Sequence, residues 1–159
     1  MSERNFLQRR LIDPLLALMR QGVTPEKLAL SLSLGAAIGV IPILGVSTAL
    51  CAAVAISLRL NMPAIQLINY LLAPLQLVLI IPLLRIGEHL VGAPRFPVTL
   101  ESALKLFSQG ALHALQILAT AIVHATLAWL VLAPLVVLVL YRTIEPALRH
   151  QRLTKAAPR

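Results

Sequence analysis

A stretch of 31 residues without a charged side chain, Leu28 to Leu58, constrains this chain more than any other feature. Gly35, Gly39, Pro42 and Gly45 interrupt it near its middle. As one α-helix it would measure about 46 Å, whereas the hydrocarbon core of a bilayer is about 30 Å thick and one crossing needs about 20 residues. The stretch is too long to cross once and too short to cross twice. A helix that enters the bilayer, breaks at Ile41 to Gly45 and returns near Arg59 satisfies both limits. Each arm is then about 13 residues, or about 20 Å, and neither arm spans. Backbone exposed at that depth must be covered by protein or line a watery cavity, and broken helices of this kind build transport sites.

Composition agrees. Hydrophobic residues make up 58% of the 159 and charged ones 13%, and the mean hydropathy is +0.86, which places the chain among integral membrane proteins. The formal charge of +8 is concentrated at the flanks. Arg4, Arg9, Arg10, Arg20 and Lys27 precede the first apolar run, and Arg142, Arg149, Arg152, Lys155 and Arg159 follow the last. Basic flanks favour the cytoplasmic side, so both termini are expected there. The basic residues frame apolar segments and lack aromatic partners, so lipid headgroups, not nucleic acid, are the expected counter-charge. The single cysteine, Cys51, cannot form an intramolecular disulfide and reads as a small buried hydrophobe. The charged first 27 residues and the long run after them do not read as a cleavable signal peptide.

Residues 1 to 23 form a first unit, with Leu7, Leu11, Leu15 and Met19 recurring at helical spacing over positions 5 to 20, as in a helix lying in the membrane interface. Thr24-Pro25-Glu26 is a helix start, with an N-cap hydroxyl, proline at the first position and an acid in the first turn. The membrane domain then covers 24 to 141. It holds the re-entrant hairpin over 25 to 59 and a second uncharged run with Asn69, Pro74, Gln76 and Pro82 over 63 to 84. That run is either one span kinked at Pro74 or a second broken hairpin. A charged loop follows over 85 to 98. Residues 99 to 141 carry a polar-striped helix and a final span kinked at Pro134, and a basic tail covers 142 to 159. The expected fold is all-α and polytopic, with one or two re-entrant hairpins and about two full spans.

Several side chains are candidates for chemistry. Gly35-x-x-x-Gly39 permits close backbone approach. Pro42 removes a helical hydrogen bond, which leaves carbonyls and amides, with the Ser47 and Thr48 hydroxyls, to face a ligand or to be satisfied by neighbours. A half-helix beginning near Val46 would aim its positive end at an anionic headgroup. Asn69, an amide in mid-run, either bridges the broken backbones or contacts substrate, and Asn61 reads as a helix cap. Arg59 and Arg85 either snorkel to headgroups or grip a phosphate. Glu88 is either the helical partner of Arg85 or a protonatable acid. Lys105, Gln109, His113, Gln116, Thr120 and His124 fall within about 100° of arc, a stripe expected to face the bundle interior or a water-filled groove, where His113 and His124 would relay protons or simply pack. No catalytic residue, cofactor or metal site is expected. The chain shows no phosphate-cradling loop, nucleophile elbow or zinc-type pair.

From Thr24 to Gly87 the chain resembles a bacterial membrane family known as domain-of-unknown-function family 2062. The matching residues are TPEKLALSLSLGAAIGVIPILGVST, RLNMPAIQLINYLLAP and LLRIG. Where the family commonly carries Asn-Pro, this chain has Ala73-Pro74, with Asn69 one turn earlier. The family is in turn similar to the DedA group, also called VTT or SNARE-associated proteins. That resemblance implies facing re-entrant hairpins and movement of a lipid, lipid carrier or small solute across a bacterial inner membrane. Substrate is then expected at Gly39, Pro42, Gly45, Ser47, Thr48, Asn69 and Pro74, with Arg59 and Arg85 for a headgroup and Glu88, His113 and His124 for protons. Membrane lipids are the expected partners and a homo-oligomer is left open. The alternative is a non-catalytic anchor or adaptor for an envelope-building enzyme.

Overall fold

The computed structural model describes residues 24–96, 99, 101, 108 and 110–156. All regular elements among them are α-helices: α1 Pro25–Gly39, α2 Val46–Ser57, α3 Met62–Leu71, α4 Ala73–Val91 and α5 Ala111–Ala156. The interfacial helix expected over 5 to 20 lies outside the described residues, as do Lys105, Gln109 and most of the helix expected to open near Thr99.

α1 starts as its sequence dictates. Thr24 is extended and its hydroxyl accepts from the Lys27 N–H at 3.4 Å, Pro25 has no N–H that needs an acceptor, and Glu26 sits in the positive first turn. The helix stops at Gly39. Pro42 follows, and Gly45 adopts φ +83°, a left-handed conformation that glycine takes without strain. Helix resumes at Val46, so the uncharged run is broken where its glycines and proline cluster. α2 then packs back on α1: Leu34 and Ile38 share a cluster with Leu50, Cys51, Val54 and Ala55. The fold-back is complete by Asn61, whose N–H donates to the Ser31 hydroxyl at 3.0 Å across 30 residues of sequence.

α3 and α4 are separated only by Leu72, which keeps near-helical angles. Leu72 N–H bonds Ile68 O at 3.0 Å and Gln76 N–H bonds Leu72 O at 2.8 Å, so helical hydrogen bonding brackets the interruption. Pro74 supplies no N–H to the preceding turn. The second apolar run is therefore a bent helix and not a second hairpin. Asn61 caps it through Oδ1, which accepts from Ala64 N–H at 2.8 Å.

Two boundaries differ from expectation. The segment expected as a loop from Arg85 is helical to Val91, because Arg85 and Glu88 pair one turn apart and cancel within the helix. Gly92, at φ +67°, ends it, with Ala93 N–H bonded to Glu88 O and Gly92 N–H to His89 O. α5 is a single helix of 46 residues that continues through Pro134 and Pro146, past the end expected at Tyr141. Packing holds this extension: Tyr141, Ile144 and Leu148 meet Leu28, Ala29 and Leu32 of α1. Arg149 joins Glu145 one turn back and reaches Glu26 of α1 at 2.8 Å.

α1 is the central element, with one face on α3, another on α5 and its end against α2. Its buried Ser31 and Ser33 hydroxyls donate to Lys27 O and Ala29 O in the turn before. Gly35 admits the α3 backbone: a Cβ there would lie 2.6 Å from Ile65 O. α4 packs on the first half of α5 through Leu83 and Leu84 against Ala125 and Ala128. Gly87 is the tightest point, where a Cβ would sit 1.8 Å from His124 O. The outward faces remain apolar, with Val78 and Ile81 on α4 and Val131, Leu135 and Val139 on α5 exposed. Two stretches, Ala73–Val91 and Leu112–His150, are long and apolar enough to cross a membrane, and their most apolar windows are only 28% and 17% buried. Exposed apolar surface on that scale calls for lipid or a partner to cover it.

Gly87→Ala forces two helix backbones apart and is expected to destabilise the protein in detergent by about 1–3 kcal/mol. Thermal unfolding followed by circular dichroism at 222 nm measures it. An unchanged midpoint would show that α4 and α5 do not meet at Gly87.

Candidate functional site

The break between α1 and α2 docks on the bend between α3 and α4, and side chains from four helices meet there. The backbone supplies the demand. Ile41 N–H turns to Ile38 O at 3.0 Å, so Ala37 O loses its helical donor. The Trp129 indole N–H of α5 takes that carbonyl at 2.7 Å. Ile41 O, inside the break, accepts from the Gln76 side-chain amide at 2.7 Å. Both Ile41 and Gln76 are buried, so this bond replaces water with a protein donor.

Asn69 and Thr48 form the second half of the site. Asn69 Nδ2 lies 3.3 Å from Thr48 Oγ1 and 3.3 Å from Gln66 Oε1, while Gln66 Nε2 donates to Thr48 O at 3.0 Å. Asn69 thus bridges the bend to the first turn of α2, the bridging alternative for this residue. Asn69 is 3% exposed, and among the described residues its Oδ1 finds no hydrogen-bond partner. Gly39 makes this approach possible: a Cβ there would stand 3.2 Å from Asn69 Cα and 3.3 Å from Oδ1. Pro42 and Ser47 are buried beside the break, and Gly45 and Pro74 are exposed. The N-terminus of α2 has no side-chain cap, and Leu44, Gly45 and Val46 are open around it. Among the described residues only a backbone contact, Val46 N–H to Ile43 O at 3.4 Å, is seen at that end.

The two arginines lie away from this junction. Arg59 closes α2, with its own N–H bonded to Ile56 O and Leu60 N–H to Ala55 O. It is exposed and left-handed at φ +52°, in a position where glycine is the usual occupant. Asn61, two residues on, bonds Ser31, so Arg59 lies on the side of the first half of α1, away from the break. Arg85 sits nine residues beyond Gln76, about 13 Å further along α4. It pairs with Glu88 at 2.8 Å, and Glu88 Oε1 also accepts from Phe96 N–H at 2.6 Å. Glu88 is 2% exposed and holds the post-helical loop against α4. Arg85, Glu88, His89 and Arg95 line a cavity of about 540 Å³ there.

Among the described residues the polar stripe does not pack inside the bundle. His113, Gln116 and Thr120 are exposed, and the buried line of α5 is Ala114, Ala125 and Ala128, because small side chains allow the closest approach. His124 is the exception: it is half-buried, its backbone is against Gly87, and it lies near enough to influence Glu88. His113, eleven residues earlier, is about 16 Å away along the helix. Among the described residues no cluster of His, Cys, Asp or Glu could hold a metal ion.

Gln66, Gln76 and Trp129 carry the site as much as Asn69 does, and sequence reasoning did not assign them to it. An amide such as Gln76 in an uncharged run was the available signal. Gln76→Leu leaves Ile41 O buried and unpaired at similar side-chain volume, and an expected loss of about 1–3 kcal/mol follows. Unfolding in detergent reads that loss, with Gln116→Leu, on the exposed face of α5, as the neutral control.

No curated protein and no solved structure matches the chain. A family model does, over residues 8–157, and it takes in every element of the break and its docking bend. The chain belongs to the DUF2062 family, described as uncharacterized proteins conserved in bacteria.

Proposed function

We propose that this is a multi-pass protein of the bacterial inner membrane that moves a lipid, lipid carrier or small solute between its two sides, as DedA-like proteins do. The α1–α2 hairpin re-enters, the bent α3–α4 helix and α5 cross, and both termini are cytoplasmic. The hydrogen bond from Asn61 to Ser31 carries this reading. It supports a chain that leaves the level of Ser31, midway along the 15-residue α1, and returns to that level through the 12-residue α2. At about 22 and 18 Å these are both shorter than the hydrocarbon core. The basic residues Lys27, Arg59, Arg142 and Arg149 gather toward that level and suit its assignment to the cytoplasm.

Substrate meets the break where backbone polarity is concentrated, at Gly39, Pro42, Gly45, Ser47, Thr48, Asn69 and Pro74. The open N-terminus of α2 favours an anionic group, and the unpaired Asn69 Oδ1 offers an acceptor to a donor on the substrate. Arg59 receives headgroups at the cytoplasmic end and Arg85 at the other. Proton coupling, if transport uses it, runs through Glu88 and His124, with His113 too distant to join directly. The 46-residue α5, about 69 Å long, extends well beyond one bilayer thickness. That overhang favours a second reading, an anchor or adaptor that offers the basic end of α5 to an envelope-building enzyme.

Two measurements test the proposal. On a Cys51→Ser background, cysteines at Lys27 and Arg59 are expected to react with an impermeant maleimide from the same face of sealed vesicles. Labelling from opposite faces would abolish the hairpin. In proteoliposomes, fluorescent phospholipids are expected to exchange leaflets faster with the protein than without it. Exchange should fall at least tenfold for Arg85→Ala, a change of about 1.4 kcal/mol in the barrier. No acceleration for any headgroup would leave the adaptor.

A further inference from the structure

A groove of about 560 Å³ runs between α1 and α5, from the Trp129 side of the helix break toward Tyr141. Leu30, Leu34 and Ile38 line one wall, and Ala133, Val137 and Leu138 line the other. It extends from Trp129 to Tyr141, about 18 Å along α5, so it is long and narrow. Ala37, Ala133 and Pro134 hollow it where larger side chains would close it. Its interior offers almost no hydrogen bonding, because the Trp129 N–H already serves Ala37 O and the Tyr141 hydroxyl lies at one end. A site of this volume suits a small ligand, and its lining admits hydrocarbon.

Charge distinguishes its ends. On α1 the lining residues Leu30, Leu34 and Ile38 continue backward, at helical spacing, to Lys27. On α5 Pro134 and Leu138 continue forward to Arg142. Both basic side chains are exposed, and the adjacent acids Glu26 and Glu145 are engaged by Arg149. The Trp129 end has no charged side chain in the lining. An apolar channel with two cations at one mouth is complementary to an amphiphile with an anionic head and a single extended chain.

We propose that this groove holds one acyl chain of an anionic phospholipid, with the headgroup phosphate between Lys27 and Arg142, as a resident ligand that fastens α1 to α5. The site rests on the membrane placement argued above but not on transport, and it shares no side chain with the proposed substrate contacts. Guanidinium and ammonium groups at the mouth select the acidic headgroup, and the channel selects the chain.

Trp129 is the only tryptophan and lines the groove, so its fluorescence reports what fills it. The full chain is placed in phosphatidylcholine nanodiscs with rising fractions of brominated phosphatidylglycerol or, separately, brominated phosphatidylcholine. Half-maximal quenching is expected at about tenfold lower mole fraction for the glycerol lipid. Lys27→Gln with Arg142→Gln should erase that preference while bromine still quenches, and Ala133→Phe should reduce quenching by both lipids. Equal quenching by the two lipids in the unaltered protein, or a preference surviving the double substitution, would overturn the proposal and leave bulk lipid as the filler. Quenching by neither lipid would overturn it together with the membrane placement. Selective quenching in a protein that moves no lipid would uphold this site and remove only the transport function.

Discussion

The rest of the structure depends on how the broken backbone between Gly39 and Val46 is satisfied. A carbonyl without its helical donor is costly wherever water is excluded. Here the donors are side chains, and they come from different parts of the chain: Trp129 from α5 for Ala37 O, and Gln76 from α4 for Ile41 O. Each of these bonds also fixes the position of the helix that supplies it. The break therefore organises the bundle, because α4 and α5 must bring a donor to the tip of the hairpin.

Small residues allow this arrangement. Gly35 and Gly39 bring α3 close enough to α1 for Asn69 to reach across to Thr48. Gly87, with Ala125 and Ala128, brings α4 against α5 near Glu88. Where water does not drive helices together, such close van der Waals contact is the available cohesion, and interhelical amide bonds add to it. The glycines thus have two distinct roles. Gly45 and Gly92 supply left-handed turns, and Gly35, Gly39 and Gly87 supply room.

Much of the architecture was legible in sequence. The Thr24-Pro25-Glu26 start, the break at Pro42 and Gly45, and the restart near Val46 follow from local chemistry, because proline, glycine and capping residues act through their own backbones. The Asn69 bridge was foreseeable because an amide in an apolar run must find a partner. What misled was charge and proline read without context. Arg85 and Glu88 suggested a loop, but at a spacing of three they neutralise each other inside α4. Tyr141 suggested an end to the last span, but contacts of Ile144, Leu148 and Arg149 with α1 keep the helix going. The stripe through His113 was a real periodicity with the wrong partner, since alanines took the packed face. The partners of Gln76 and Trp129 were harder still, because they lie 35 and 92 residues away: an amide in an uncharged run marks Gln76 as needing a partner but does not say which.

The contact of Gly87 with the His124 backbone has a mechanical consequence. Two main chains pressed together with no side chain between them cannot slide past one another without a collision, so the lower part of α4 and the first half of α5 behave as one solid piece. The hairpin tip is held differently, by a few amide and indole bonds around an exposed glycine hinge. A swing of the short arms therefore disturbs only those few bonds, whereas a slip between α4 and α5 at Gly87 meets main chain directly.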